Sequence, residues 1–265
     1  MALGTQKGSN RDVIFVDLKF AVSKGEEAVG FRQTINRIPR ENAKEGERKY
    51  DYEYKMHNYV EGEITNFRVR EEPRFDNPKE KEFMAIVTVH DLHGDPDVVV
   101  KYPLLSQAGR RLTGLVAAAV EANAGSVHIY TNYAEAGTKI GDRVLEKPQA
   151  YINAKVGDVH GQKLTPLYYG EDGKPMLDEN GKPQPLPMGQ KVVIGRKEVW
   201  DFSAADTIVS QTALVLVDHF QREHQRQSEA VEQSDESHEQ AHEYDPGHPA
   251  DDYNDYDEYA AMQPR

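Results

Sequence analysis

Three tyrosines stand at alternate positions in the segment KYDYEYKMHNYV, as Tyr50, Tyr52 and Tyr54. Side chains two residues apart lie on the same face of a β-strand, so this spacing predicts a row of flat aromatic rings. Such a row can stack against unpaired nucleic-acid bases, at roughly 1–3 kcal/mol per base and without reading their sequence. The alternative is that the tyrosines are only the half-buried aromatic residues that strands commonly contain.

Arginines alternate with apolar residues in the next segment, EGEITNFRVREEPRF. One side of this predicted strand carries Phe67, and the other carries Arg68 and Arg70. Arg74 and Phe75 follow directly. Guanidinium groups beside aromatic rings can bind phosphates and add cation–π contacts. The competing interpretation is a solvated surface on which these arginines pair with the neighbouring glutamates.

A basic segment precedes the tyrosines. Residues 24–49 have a loop-like sequence in which the apolar residues Phe31 and Ile35 are surrounded by basic residues, namely Arg32, Arg37, Arg40, Lys44, Arg48 and Lys49. Two interpretations remain open for it. It is either a basic arm that lies along a nucleic-acid strand or a solvated connection held to the core by its two apolar residues.

One helix stands between two of the predicted strands. The strand VVVKY ends at Pro103, because proline has no amide hydrogen for a ladder. Ser106 then caps a helix with an apolar stripe on one face, and Gly125 precedes the strand SVHIYTNY. We expect the stripe to close one end of a β-barrel. Arg110 and Arg111 lie in the first turns, where cations are unfavourable to the helix dipole, so a phosphate ligand is plausible for them.

The order of these elements predicts a mainly β protein, an OB-fold-like antiparallel barrel with a capping helix. The predicted body is residues 1–227. It includes a flexible loop at 170–190, where two Gly-Lys-Pro turns recur, and an additional C-terminal helix at 203–226. The only tryptophan, Trp200, is either a core residue or a stacking residue. Residues 228–265 have almost no aliphatic side chains, so we expect a disordered acidic tail.

Charge is distributed unevenly along the 265 residues. The net charge is −13, but residues 228–265 hold twelve acidic groups and one arginine, so the body is close to neutral and rich in arginine. The chain has no cysteine, which excludes disulfides, thiol catalysis and iron–sulfur clusters. No apolar run approaches the roughly 18 residues of a membrane span, and the first residues lack the apolar stretch of a secretion signal.

Enzymatic chemistry finds little support in the sequence. No acid-x-Lys pattern suits a nuclease, and no glycine-rich loop suits nucleotide phosphates. His238 and His242 have one-turn spacing, but they lie in the predicted tail with no third ligand nearby. We therefore expect a protein that is not an enzyme and that uses neither a metal nor another cofactor.

Further aromatic and basic residues extend the predicted binding surface onto the other strands. Together with those above, the candidate binding residues are Tyr52, Tyr54, Phe67, Arg68, Arg70, Arg74, Phe75, Lys101, Tyr102, Arg110, Arg111, Tyr130, Tyr151 and Lys155.

The segments EGEITNFRVRE and SQAGRRLTGLVAAAV, in this order of strands and helix, resemble those of the single-stranded DNA-binding proteins encoded by bacteriophages. The resemblance covers the architecture of residues 10–220 and the composition of the tail. It implies an OB-fold body that binds single-stranded DNA in phage replication, recombination and repair. It also implies a location in the cytoplasm of the infected bacterial host.

The same resemblance implies that the acidic tail recruits phage or host replication and recombination proteins. This chain ends in DDYNDYDEYAAMQPR, where the bacterial relatives end in an acidic tip with Pro-Phe. The candidate partner-binding residues are Asp251, Asp252, Tyr253, Asp255, Tyr256, Asp257, Glu258 and Tyr259. Some phage members also assist the host RNA polymerase, so the alternative function is a transcription coactivator that contacts this enzyme through its C-terminal region.

Overall fold

The computed structural model describes residues 13–41, 50–74, 77, 79–195 and 197–239. The chain divides into two compact units, Met1–Arg222 and Glu223–Arg265. All the strands and the first helix belong to the first unit. The second helix begins in the first unit and ends in the second.

Eight strands form one curled half-barrel sheet, so the prediction of a mainly β protein is confirmed. In chain order the strands are β1 Val13–Phe20, β2 Val29–Pro39, β3 Tyr50–His57, β4 Tyr59–Pro73, β5 Lys81–His90, β6 Asp97–Pro103, β7 Val127–Ala134, β8 Lys139–Ile140, β9 Arg143–Val144, β10 Gln149–Val156, β11 Gln190–Ile194 and β12 Lys197–Asp201. Their order across the main sheet is β10-β7-β4-β5-β6-β1-β2-β3, and every pairing is antiparallel except that of β1 with β6. Two small hairpins, β8–β9 and β11–β12, lie outside this sheet.

The prediction of a loop at residues 24–49 is wrong for much of this segment. Two short 3₁₀ turns, Val22–Lys24 and Glu26–Ala28, lead into the eleven-residue strand β2. Strand β2 pairs along its length with β3, with an irregularity between Thr34 and Asn36. Residues 29–39 of the basic segment therefore form one strand of an antiparallel pair whose other strand carries the three tyrosines.

Strand β4 changes its neighbour at Gly62, and this change lets the sheet curl. Residues 59–62 pair with β7, whereas residues 63–73 pair with β5. Gly62 has a φ of 146°, and a Cβ atom there would lie 2.2 Å from the carbonyl oxygen of His90. Only glycine permits this approach of two strands.

Helix α1, Gln107–Glu121, forms where the sequence predicts a helix, and its apolar stripe packs into the core against the sheet. The Ser106 hydroxyl accepts a hydrogen bond from the Gly109 amide at 3.0 Å, which confirms the predicted cap. Leu112, Leu115 and Val116 are fully buried in the core with side chains from the sheet. We call this side of the sheet the core face and the opposite side the outer face.

The structure adds detail at the end of α1 and in residues 170–190. Asn123, with a φ of 46°, takes the left-handed conformation after α1, rather than Gly125. Residues 170–190 form two successive turns closed by backbone hydrogen bonds, and Met176 and Leu186 of this segment pack against the core.

Beyond this segment, Trp200 lies in the hairpin β11–β12, which is separate from the main sheet. Helix α2 spans Ser203–Glu239, so it runs past the predicted end at residue 226 and includes the first residues assigned to the tail. At the start of this helix, the Asp201 carboxylate accepts a hydrogen bond from the Ser203 backbone amide at 2.9 Å. In the described part of the chain, neither helix combines the length and the apolar character needed to cross a membrane.

Buried tyrosines make stability sensitive to alkaline pH. Burial raises the pKa of Tyr168 to about 12, and burial also raises the pKa values of Tyr102 and Tyr169. Above pH 10 the unfolded chain loses these protons while the folded chain keeps them, so the free energy of unfolding falls as pH rises. We expect a fall of about 1.4 kcal/mol per pH unit for each tyrosine between pH 10 and the folded-state pKa.

Urea unfolding at several pH values between 8 and 11.5 measures this effect. Tyr168→Phe removes one ionisable group and should give a shallower fall with pH than the native chain. The same slope in both proteins would contradict this origin of the alkaline sensitivity.

Candidate nucleic-acid interface

The three tyrosines of β3 lie on the outer face together with arginines of β2. We call Tyr50, Tyr52 and Tyr54 the tyrosine ladder. The rings of Tyr52 and Tyr54 are stacked with centroids 6.2 Å apart, and both side chains are more than 40% exposed. The guanidinium carbon of Arg32 lies 4.2 Å from the Tyr54 ring centroid, and that of Arg37 lies 3.6 Å from that of Tyr50. The predicted common face of the tyrosines is confirmed.

This arrangement can bind two parts of a nucleotide at once. Exposed tyrosine rings offer flat surfaces to bases, and guanidinium groups offer charged donors to phosphates. Each arginine also keeps a tyrosine ring in place through the cation–π contact. The Nε atom of Arg32 is buried and has no hydrogen-bond partner among the described residues, while its NH2 donates to Asp17 at 3.3 Å.

Strand register places further cations on the outer face in one row across the sheet. Consecutive partners in this row are Arg68, Ile86, Lys101, Asp17, Arg32 and Met56. Neighbouring strands lie roughly 4.8 Å apart, so Arg68 and Arg32 are separated by about 19 Å along the sheet. The aromatic ring nearest this row on β1 is Phe15, which is 69% exposed. The start of β1 is therefore uncovered on its outer face.

Arg68 and Arg70 are exposed and have no ion-pair partner among the described residues. The nearby glutamates are engaged elsewhere, since Glu71 accepts from Lys81 at 2.7 Å and Glu72 accepts from Lys101 at 2.5 Å. The ion pairs that the competing interpretation expects between these two glutamates and the arginines are therefore absent from the described residues. Lys101 lies on the outer face as expected, but its charge is paired.

The positive character of this face also acts on Lys19. Burial lowers the pKa of the Lys19 ammonium group, and the positive charge of Arg32 lowers it further. A phosphate placed beside these two side chains would relieve the repulsion between them.

A second aromatic cluster lies on the outer face of β4, β7 and β10. The ring of His128 stacks on Tyr59 at 4.9 Å between centroids and lies 5.5 Å from Tyr130. His128 Nδ1 and a carboxylate oxygen of Glu61 are 2.6 Å apart, and the Lys155 ammonium lies 5.8 Å from the Tyr130 centroid. The register of β7 with β10 places the predicted residues on this same face, namely Tyr130, Tyr151 and Lys155.

Two predicted aromatic ligands are in the core instead. Phe67 is 1% exposed and Tyr102 is completely buried, with its hydroxyl 3.2 Å from that of Thr113. Neither ring is accessible to a base, so both assignments are wrong. The physical reason is alternation, because Phe67 and Arg68 are adjacent in one strand and must point to opposite faces.

The side chains of Arg110 and Arg111 contact other parts of the protein rather than solvent. Arg110 Nε donates to Asp206 at 2.7 Å, and its guanidinium lies 4.5 Å from the Phe202 ring centroid. Arg111 donates to the Ile152 carbonyl at 2.6 Å and to the Asn153 side chain at 3.0 Å. These contacts therefore offset the unfavourable interaction of the two cations with the helix dipole. The prediction that Arg110 and Arg111 bind a phosphate is wrong.

The remaining predicted residues fall outside the interface or outside the description. Arg74 donates to Glu80 at 3.0 Å at the end of β4. Phe75 and residues 240–265, which include every candidate of the tail, lie outside the described residues. Trp200 is 60% exposed, so it is not a core residue. It lines a groove of about 840 Å³ with Phe202 and the proline-rich residues 183–187.

The sequence did not indicate that Phe15, Tyr59 and His128 belong to the interface. It placed Arg32 and Arg37 only in the basic segment that was open to two interpretations, and not beside the tyrosines. Alternation could have placed Phe15 and Tyr59 on the outer face, but the pairing of Arg32 and Arg37 with the tyrosines depends on the register of β2 and β3. No group of three or more His, Asp or Glu side chains in the described part of the chain is placed to hold a metal ion. Comparisons with protein-family models, curated proteins and solved structures gave no match to this chain.

Proposed function

We propose that this protein binds single-stranded DNA without sequence preference and is not an enzyme. The observation that carries this proposal is the tyrosine ladder with Arg32 and Arg37 over its rings. Two stacked, exposed tyrosines on a flat strand suit unpaired bases, whose faces are hidden by neighbouring base pairs in a duplex. None of these contacts reads base edges, so the binding is tolerant of sequence.

Phosphate binding is assigned to Arg68, Arg70 and Arg37. Arg68 and Arg70 have charges that no described acid neutralises, so contact with a phosphate would not break an existing ion pair. The DNA strand crosses the sheet from β4 towards the β2–β3 hairpin, along the row that ends at Arg32 and Met56. The cluster around Tyr59 and Tyr130 provides further stacking surface on β4 and β7.

The proposal also includes the type of barrel and the role of the protein in the cell. The curled sheet with α1 at one end suits an OB-fold-like barrel, in which an open strand surface binds the ligand. The protein protects single-stranded DNA during phage replication and recombination, and the acidic residues of the C-terminal segment recruit other proteins.

A fluorescence titration with labelled oligo-dT at several salt concentrations tests the proposal. Affinity should fall steeply as salt rises, because bound phosphates release counterions. Duplex DNA of the same length should bind much more weakly. Failure to bind oligo-dT at low salt, or equal affinity for the duplex, would overturn the proposal.

Arg68→Ala with Arg70→Ala should reduce the slope of log K against log salt by about 1.4, since each lost single-strand phosphate contact contributes about 0.7. Arg74→Ala is the control, because it removes one arginine directly after the end of this strand, at a position already bonded to Glu80. The assignment of Arg68 and Arg70 fails if the control and the double variant have the same slope.

A further inference from the structure

One edge of the main sheet is partly covered, and the other edge is open. At β10, the Leu164 amide donates to Ala154 at 2.8 Å, and Arg111 donates to Ile152 at 2.6 Å, so the backbone of this edge is partly covered. Strand β3 is the other edge, and no described strand pairs with its free side. Residues 51–55 are all exposed. An uncovered edge strand of this length is a template for pairing with another strand.

The charges on β3 differ from those that prevent an edge strand from pairing with a second copy. Protective edges repel a second copy, commonly through lysines or through charges that point inward. On the side of β3 opposite the tyrosine ladder, the sequence is Asp51, Glu53, Lys55 and His57, so the acidic Glu53 and the basic Lys55 lie on the same side, two residues apart. Asp51 is already paired with Arg40 at 2.9 Å, and burial lowers the pKa of His57. Such a strand is complementary to itself when a second copy runs antiparallel.

We propose that β3 pairs antiparallel with β3 of a second copy of this chain, about a two-fold axis at Tyr54. In this register Tyr54 faces Tyr54 of the second copy, and Glu53 faces Lys55 of the second copy on both sides of the axis. Asp51 faces His57, and Tyr52 faces Met56. No like charges are opposed, whereas a register centred on Glu53 would oppose two glutamates.

The pairing keeps the outer faces of both copies on the same side. The two tyrosine ladders then lie next to each other on one continuous surface. This inference is independent of the proposed function, since it depends only on the edge and its charges.

Lys55 and Glu53 are available for this contact. The structure gives Lys55 no ion-pair partner among the described residues, and Glu53 accepts only a 3.3 Å hydrogen bond from the side-chain Nδ2 of Asn36. Neither side chain belongs to the tyrosine ladder or to the arginines beside it.

Sedimentation equilibrium of the full chain without DNA tests the pairing. The native chain should be a dimer. Glu53→Lys alone and Lys55→Glu alone should each raise the dimer dissociation constant at least tenfold, because each opposes like charges twice. An equimolar mixture of the two variants should form a dimer again, as should the chain that carries both changes. Circular dichroism confirms that each variant is folded.

A disulfide measures the register directly, because the native chain has no cysteine. Residues directly opposite in an antiparallel pair have Cα atoms about 4.5–5.5 Å apart, within the span of a disulfide. Tyr54→Cys should therefore form an intermolecular disulfide under mild oxidation. Tyr52→Cys should not, since its counterpart lies roughly 13 Å away along the strand.

Three outcomes would overturn the inference. They are a native chain that stays monomeric at all concentrations, a dimer that neither charge variant weakens, and equal cross-linking of the two cysteine variants. The last two would place the contact between copies elsewhere on the molecule.

Discussion

Binding of oligo-dT is expected to weaken by about 2 kcal/mol or more, roughly 30-fold, when Tyr52 and Tyr54 are both replaced by alanine. Each ring is more than 40% exposed, and each lost stack removes roughly 1–3 kcal/mol. The slope of affinity against salt should stay the same, because tyrosine carries no charge at neutral pH. Fluorescence anisotropy with labelled oligo-dT at fixed salt measures both quantities.

The matched control keeps the rings and removes only the hydroxyl groups. Tyr52→Phe with Tyr54→Phe should bind within about threefold of the native chain, because phenylalanine also stacks on bases. If the phenylalanine variant loses as much affinity as the alanine variant, the contact is a hydrogen bond rather than a stack. If neither variant loses affinity, the ligand does not lie on the ladder.

The tyrosine ladder could be predicted because alternation along one strand is a local property. The period of two in YDYEY fixes the common face regardless of the rest of the fold. The arginines over the rings could not be predicted in this way. Their segment, VGFRQTINRIP, has exposed apolar residues and no clear alternation, since its outer half projects in a hairpin with both faces exposed. Only the register with β3 shows that Arg37 lies beside the ladder.

The errors at Phe67 and Tyr102 have a related cause. Alternation divides a strand into two faces, but it does not say which face meets the core. The answer comes from packing against Leu112 and Leu115 of α1 and from the parallel pairing of β1 with β6. That pairing joins segments more than eighty residues apart, and no local pattern encodes it. The capping helix, by contrast, was predictable because its cap and its apolar stripe lie within one short segment.

The fold itself depends on one glycine where β4 changes its neighbour. We expect Gly62→Ala to reduce the free energy of unfolding by about 3 kcal/mol or more. The φ of 146° is unfavourable for alanine, and the new methyl group would lie 2.2 Å from the His90 carbonyl oxygen. Neither backbone can move without breaking the pairing of β4 with β5 or with β7. A loss of this size is a large part of the 5–15 kcal/mol that stabilises an ordinary domain.

Urea unfolding followed by circular dichroism measures this loss, and Gly125→Ala is the matched control. Gly125 follows α1 and precedes β7, where an added Cβ atom would meet nothing within 4 Å, so its replacement should change stability by less than about 1 kcal/mol. Because the bend at Gly62 brings β7 beside β4, its loss should also separate Tyr59 from His128 and Tyr130. Equal stability of the two variants would mean that the curl of the sheet does not depend on close approach at Gly62.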